Sequence, residues 1–225
     1  MRYLWTEDTG AGCHFWQLAN THLFANRLIV ESKGSNQGIV DAVRDLQPGE
    51  GDIYYIAFDQ VFDNQDIRNK YLDLRDMTEK YPEQVILLDM ICFEYIILCF
   101  RKLVEWTGTG KEDKIAIRED ILSAVRQHRI EVSLITNPKT LTYLGCFKRY
   151  STERVIKSLV NELTENDMWS VKGSLMGKCW YLDCCADEKF AKQKCNVGET
   201  TSGEKKIISL LYSNEMQRVT ENIKK

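Results

Sequence analysis

Short apolar runs alternate with helix-period stripes through the first half of the chain, and the alternation predicts four successive strand–helix units. Residues 3–5 (YLW) make the first run, a polar loop with glycines at 10 and 12 follows, and Phe15, Leu18, Ala19 and His22 then recur at helical spacing. Residues 27–31 (RLIVE) predict a second strand and residues 32–38 (SKGSNQG) a loop. Ile39, Val40, Val43 and Leu46 form the next amphipathic stripe, closed by Pro48-Gly49. Residues 52–58 (DIYYIAF) are aromatic, β-branched and nearly continuous, as expected of a strand covered on both faces. A helix over 64–80 places Ile67, Tyr71, Leu74 and Met77 on one side and stops before Pro82; residues 84–88 (QVILL) predict a fourth strand and 91–106 a long apolar helix.

Repeated strand–helix units with short loops imply parallel strands and a largely parallel four-stranded sheet with helices on both faces. Beyond Trp106 the pattern changes: residues 108–114 (GTGKEDK) read as a linker, 116–128 as a helix and 130–135 as a short β-like segment before Asn137-Pro138. Residues 152–164 (TERVIKSLVNELT) form an amphipathic helix with Thr152 as N-cap, and 205–223 are helical again. These stripes are short. The expected organisation is therefore an α/β domain over 1–108 and, over 109–225, an α-rich extension that packs on it and contains a cysteine cluster.

At 225 residues with a formal charge of -3, the chain exerts no whole-molecule attraction on nucleic acid, so such binding requires a local basic patch. Arg149, Arg154 and Lys157 form one such cluster and Lys189, Lys192 and Lys194 another, both also readable as ordinary solvated surface. The apolar run around Tyr95 to Phe100 is too short to span a bilayer and the first residues carry no export signal, which predicts a cytoplasmic protein without membrane attachment. Eight cysteines in that setting read as reduced thiols.

Acidic residues stand where the predicted strands end: Glu7 after the first, and Asp59, with Asp63 behind it, after the third. In a parallel sheet the carboxyl ends of the strands border the ligand-binding crevice, and carboxylates there suit Mg²⁺. Each acid also suits the positive end of the following helix as a cap. The order of β-acid, β, β-acid, β, with Glu7 in WTEDTG, Asp59 in AFDQVFDN, the loop SKGSNQG and the segment CFEYIIL, resembles the Toprim domain. The resemblance covers about residues 1–106 and is to the defence-associated and overcoming-lysogenization-defect nucleases in particular. In that family a glutamate follows the first strand and a DxD pair the third; Glu7 and Asp59 match, whereas the second acid of the pair is Val61 here. The resemblance implies a Mg²⁺ site on Glu7 and Asp59, with Asp63 or Glu94 making up the missing acid. It also implies cleavage of phosphodiesters in DNA or RNA, as in nucleases of mobile-element or defence systems. The loss at Val61 equally suits a Toprim-derived binding or regulatory protein that works through a protein partner, with Trp106, Trp169 and Trp180 as candidate anchors.

Two further groups carry chemistry. Ser32, Lys33, Gly34, Ser35 and Asn36 precede a helix and would form a phosphate-binding nest, or an ordinary connection capped by Ser35 or Asn36. Cys179, Cys184, Cys185 and Cys195 are four candidate thiolate ligands for structural Zn²⁺, or a reduced packing cluster. His14, His22 and His128 are dispersed and no catalytic role is assigned to them.

Overall fold

A computed structural model of the chain describes residues 1–9, 11–106, 110–148, 151–164 and 210–223. The first half contains β1 (Arg2–Thr6), α1 (Ala11–Phe24), β2 (Ile29–Ser32), α2 (Asn36–Arg44), β3 (Ile53–Ala57), α3 (Gln65–Thr78), β4 (Val85–Leu87), α4 (Phe93–Cys99) and α5 (Lys102–Trp106). After the linker come α6 (Glu112–Ala124), the hairpin strands β5 (Val125–Arg126) and β6 (Arg129–Ile130), a 3-10 turn at Val132–Leu134, α7 (Pro138–Gly145), α8 (Thr152–Thr164) and α9 (Asn214–Thr220). None of the described helices is long and apolar enough to cross a membrane.

β1 to β4 form one sheet in the order β2-β1-β3-β4. All three pairings are parallel, with Leu4 opposite Val30 on one side and Tyr55 on the other. Alternation along the strands divides the side chains between two cores. Leu4, Tyr55 and Ala57 meet Phe15, Leu18 and Ala19 of α1 on one face; Trp5, Tyr54 and Ile56 meet Ile39, Val40 and Val43 of α2 and Leu74 of α3 on the other. The first core continues without a break into the second half, through Ile117 and Ile121 of α6, Val155, Ile156, Leu159 and Val160 of α8, and Met216 and Val219 of α9. Burying that many aliphatic side chains, at roughly 1.5–3 kcal/mol each, makes the second half a structural part of the first.

The connections reverse at β1. The chain leaves β1 for β2 by way of α1 on one face and returns across it to β3 by way of α2 on the other, so the crevice between the ends of β1 and β3 is the topological switch point.

Two expectations for the helices are corrected. The long helix expected over 91–106 is two helices, α4 and α5, because Phe100 adopts an extended conformation (ψ 111). The buried guanidinium of Arg118 donates to the Leu98 carbonyl at 2.8 Å, satisfying the acceptor that a continuing helix would have covered. The helix expected over 116–128 starts earlier, at Glu112, and ends at Ala124, where the chain turns into the β5–β6 hairpin.

Candidate functional site at the carboxyl edge of the sheet

Glu7 follows β1 directly and Asp59 lies two residues beyond β3; Thr6 and Ala57 are register partners, so the two acids leave adjacent strands at the same level. Both line one small pocket at the switch point, together with Asp8, and Phe15, Met90 and Phe93 supply apolar wall. All three acids are half-buried. The Phe15 and Phe93 rings pack edge to face at 5.1 Å, which fixes the entry of α1 against that of α4. Asp8 lies tight against α1: a Cβ at Gly12 would overlap its carboxylate, so glycine is what allows the acid to sit there. Burial and the neighbouring Asp8 charge raise the Cys13 thiol above its ordinary pKa, disfavouring a nucleophilic thiolate on α1.

The two other acids assigned to the site, Asp63 and Glu94, are not among the residues that line this pocket. One of the Asp63 carboxylate oxygens accepts the Thr152 amide at 2.6 Å, at the start of α8, and the other is buried without a hydrogen bond. Glu94, 2% exposed, lies in the first turn of α4. Its charge and that of Asp59 both act on the buried thiol of Cys92, whose pKa is raised first by burial and then by these acids. Among the described residues no group of three or more His, Cys, Asp or Glu side chains is arranged to hold a metal ion. A cation at this edge would therefore rest on Glu7 and Asp59 with water completing its shell, a coordination Mg²⁺ tolerates.

The loop after β2 is held by its own residues and by β1, whose Thr6 carbonyl accepts from the Lys33 amide at 2.7 Å. Ser35 caps α2, its hydroxyl accepting from the Gly38 amide at 3.0 Å, and the Gly34 amide donates to the Ser32 hydroxyl at 3.2 Å. The Lys33 ammonium is paired with Glu31 at 2.8 Å and lies 4.0 Å above the Trp5 ring. Asn36 opens α2, with its side-chain oxygen buried and without a hydrogen bond. Cys179, Cys184, Cys185 and Cys195 lie outside the described residues, as do Arg149, Lys189, Lys192, Lys194, Trp169 and Trp180.

The sequence reading missed a second charged cluster on the same edge. Asp89, two residues beyond β4, lies 3.0 Å from His128 Nε2, an ion pair when the imidazole is protonated, and pairs with Arg218 of α9, which is also held by Glu215 at 2.7 Å. Burial lowers the His128 pKa; Asp89 opposes this, and Arg218 adds to it. Met90's backbone also favours protonation, although no hydrogen bond of ordinary geometry reaches the buried Nδ1. Asp89 had the same signal as Glu7 and Asp59, an acid just past a strand, whereas His128 was hidden in what reads as a helix.

Comparison with protein-family models, with curated proteins and with solved structures finds no match.

Proposed function

We propose that this chain is a Toprim-like domain that holds one hydrated Mg²⁺ through Glu7 and Asp59 and cleaves phosphodiesters of nucleic acid, in the manner of the small nucleases of mobile-element and defence systems. The supporting observation is that these two acids, fifty-two residues apart in sequence, line one pocket where the strand order reverses. When bound, the ion would neutralise charge developing on the scissile phosphate. Asp59 and Glu7 would hold it, and Glu7, half-buried against the aromatic wall, would exchange a proton with the attacking water or the leaving oxygen. Asp8, in the same pocket, adds negative potential that favours a cation.

A second reading has its own support. Val61, at the position of the second family acid, is 3% exposed and packs with Ile91 and Cys92, while Asp63 serves α8. These choices suit a catalytically degenerate relative that binds a protein partner.

Titration with Mg²⁺ and Mn²⁺, followed by incubation with single- and double-stranded DNA and RNA, separates the two. The enzyme reading expects an ion-dependent rise in melting temperature, about 2.7 kcal/mol of added stability at a hundredfold excess over Kd, lost in Glu7→Gln and Asp59→Asn together with cleavage. No rise and no cleavage, with metal-independent capture of a protein, would establish the second reading. The thiolate set Cys179, Cys184, Cys185 and Cys195 is a separate proposal for structural Zn²⁺; chelator-free protein should then carry about one equivalent by elemental analysis.

A further inference from the structure

The loop that carries Asp59 into the pocket is fixed residue by residue, and much of the fixing comes from the second half of the chain. Gln60 donates through its side chain to the Leu88 carbonyl at 2.6 Å and through its amide to that of Ile91 at 2.8 Å. Val61 is packed against Ile91 and Cys92, with Val125 of β5 beside them. The Phe62 ring stands between Tyr71 of α3 and His128, stacked on the imidazole at 4.8 Å and 27°, and the Phe62 amide donates to the His128 carbonyl at 3.3 Å. Asp63 accepts the Thr152 amide at the start of α8, and Asn64 caps α3.

His128 occupies the tip of the β5–β6 hairpin, and its backbone is held where non-glycine residues resist being held: Gln127 has φ 47 and His128 φ 62. A two-residue turn with both φ values positive is ordinarily built from asparagine and glycine. A sequence selected only to turn the chain would place one of them here. Strain of this kind persists when surrounding contacts over-determine it, and the contacts are explicit. The imidazole is paired with Asp89 and Asp89 with Arg218, and the face of the same imidazole stacks on Phe62.

We propose that His128 is a positioning residue for Asp59. Through Phe62 it sets the loop over residues 59–64 so that Asp59 faces Glu7 across the pocket, and the Asp89–Arg218 pair ties that setting to α9. The proposal rests on the reading that Glu7 and Asp59 together hold a divalent ion.

The test compares the full chain with His128→Gly and Gln127→Gly, using amide hydrogen exchange without added ion and then Mn²⁺ binding followed by electron paramagnetic resonance. Glycine at either position relieves the backbone, but only at 128 does it remove the stacking and the pairing with Asp89. Loss of one such aromatic contact should speed exchange at the Gln60 and Phe62 amides roughly three- to tenfold in His128→Gly. Amides of β1 and β3 should keep their protection, and Mn²⁺ affinity should fall by a similar factor. Gln127→Gly should leave loop and affinity unchanged. A merely structural role would instead move all protected amides together. Unchanged exchange over 59–64 in His128→Gly, or equal loosening in both variants, would overturn the proposal. Should His128→Gly fail to fold, His128→Asn, which tolerates the turn but cannot reproduce the imidazole stacking, is read in the same way. Absence of Mn²⁺ binding by the wild type would remove the metal reading, and the exchange data would still decide whether His128 orders the loop.

Discussion

Two strand-to-helix loops on the same edge of the sheet are stabilised in opposite ways. The loop after β2 meets most of its needs from its own neighbourhood, where Ser35 bonds the Gly38 amide, Ser32 the Gly34 amide, and Lys33 pairs with Glu31; β1 adds the Thr6 carbonyl, which accepts from the Lys33 amide at 2.7 Å, and the Trp5 ring beneath the Lys33 ammonium. The loop after β3 draws on Leu88, Ile91, His128 and Thr152, residues 28 to 89 positions away from the groups they bond. A locally satisfied loop folds with its own strand–helix unit. A remotely satisfied one acquires its shape only when the second half of the chain is in place, and it is the loop that carries Asp59.

The largest expected effect comes from placing an acid at the second position of the proposed Toprim-like pattern. Val61→Asp puts a carboxylate into the apolar cluster of Ile91 and Cys92, close to Asp59 and Glu94, which already act electrostatically on the Cys92 thiol. An unpaired buried charge costs on the order of 3–5 kcal/mol, so urea or thermal unfolding should show a large loss of stability at neutral pH rather than a gain of activity. Stability equal to that of wild type, with tighter Mn²⁺ binding, would show that the loop has room for a second acid.

The next effect sharpens the contrast between the loops. Asp63→Ala removes the acceptor of the Thr152 amide at the start of α8, leaving the Ser151 hydroxyl on the Arg154 amide, and should cost about 1–2 kcal/mol, with faster hydrogen exchange in α8 and in the hairpin that Thr152 holds through the Ile130 amide at 3.1 Å. Ser35→Ala removes the cap of α2 and should cost about 1 kcal/mol, with faster exchange confined to α2. If the Ser35 substitution also loosened α8, or the Asp63 substitution loosened only its own loop, the distinction between local and remote support would fail.

The same contrast explains what could be read before the structure. All four strands were legible because β3 is continuously apolar and its neighbours are flanked by loop residues, and Ser35 announced its helix by type and place; Thr152, expected as the N-cap of α8, is instead its first residue, and the Ser151 hydroxyl takes the cap by accepting from the Arg154 amide at 3.2 Å. Their parallel arrangement followed from the helix between each pair. Glu7 and Asp59 were legible as acids past strand ends, a feature visible in any parallel unit. Asp63 was not, because its role depends on an amide 89 residues later. The break after Cys99 was hidden because the Leu98 carbonyl it leaves open is satisfied by Arg118, twenty residues beyond Leu98. The hairpin at Gln127-His128 was hidden because neither residue is a customary turn former and the helical stripe of α6 runs straight toward them.

The smallest expected effect is a pH dependence that should follow the remote support alone. His128 has its pKa lowered from 6.5, burial being the largest cause, with Arg218 adding to it and Asp89, Glu215 and the Met90 backbone opposing. Because the folded value lies below the unfolded one, the unfolded chain binds more protons near pH 6.5, and stability falls as the pH drops through that value. The decline ends once the pH is below the folded value, where both states are protonated. Protonation thus works against the packed imidazole, so exchange at the Phe62 amide should quicken as the pH falls below 6.5, after correction for the intrinsic rate, while the Gly38 amide, bonded to Ser35, should not respond. In His128→Asn the Phe62 response should vanish. If the corrected pH dependence at Phe62 were the same in wild type and His128→Asn, the titration would belong to another group, and the hairpin would support the loop through shape without sensing protons.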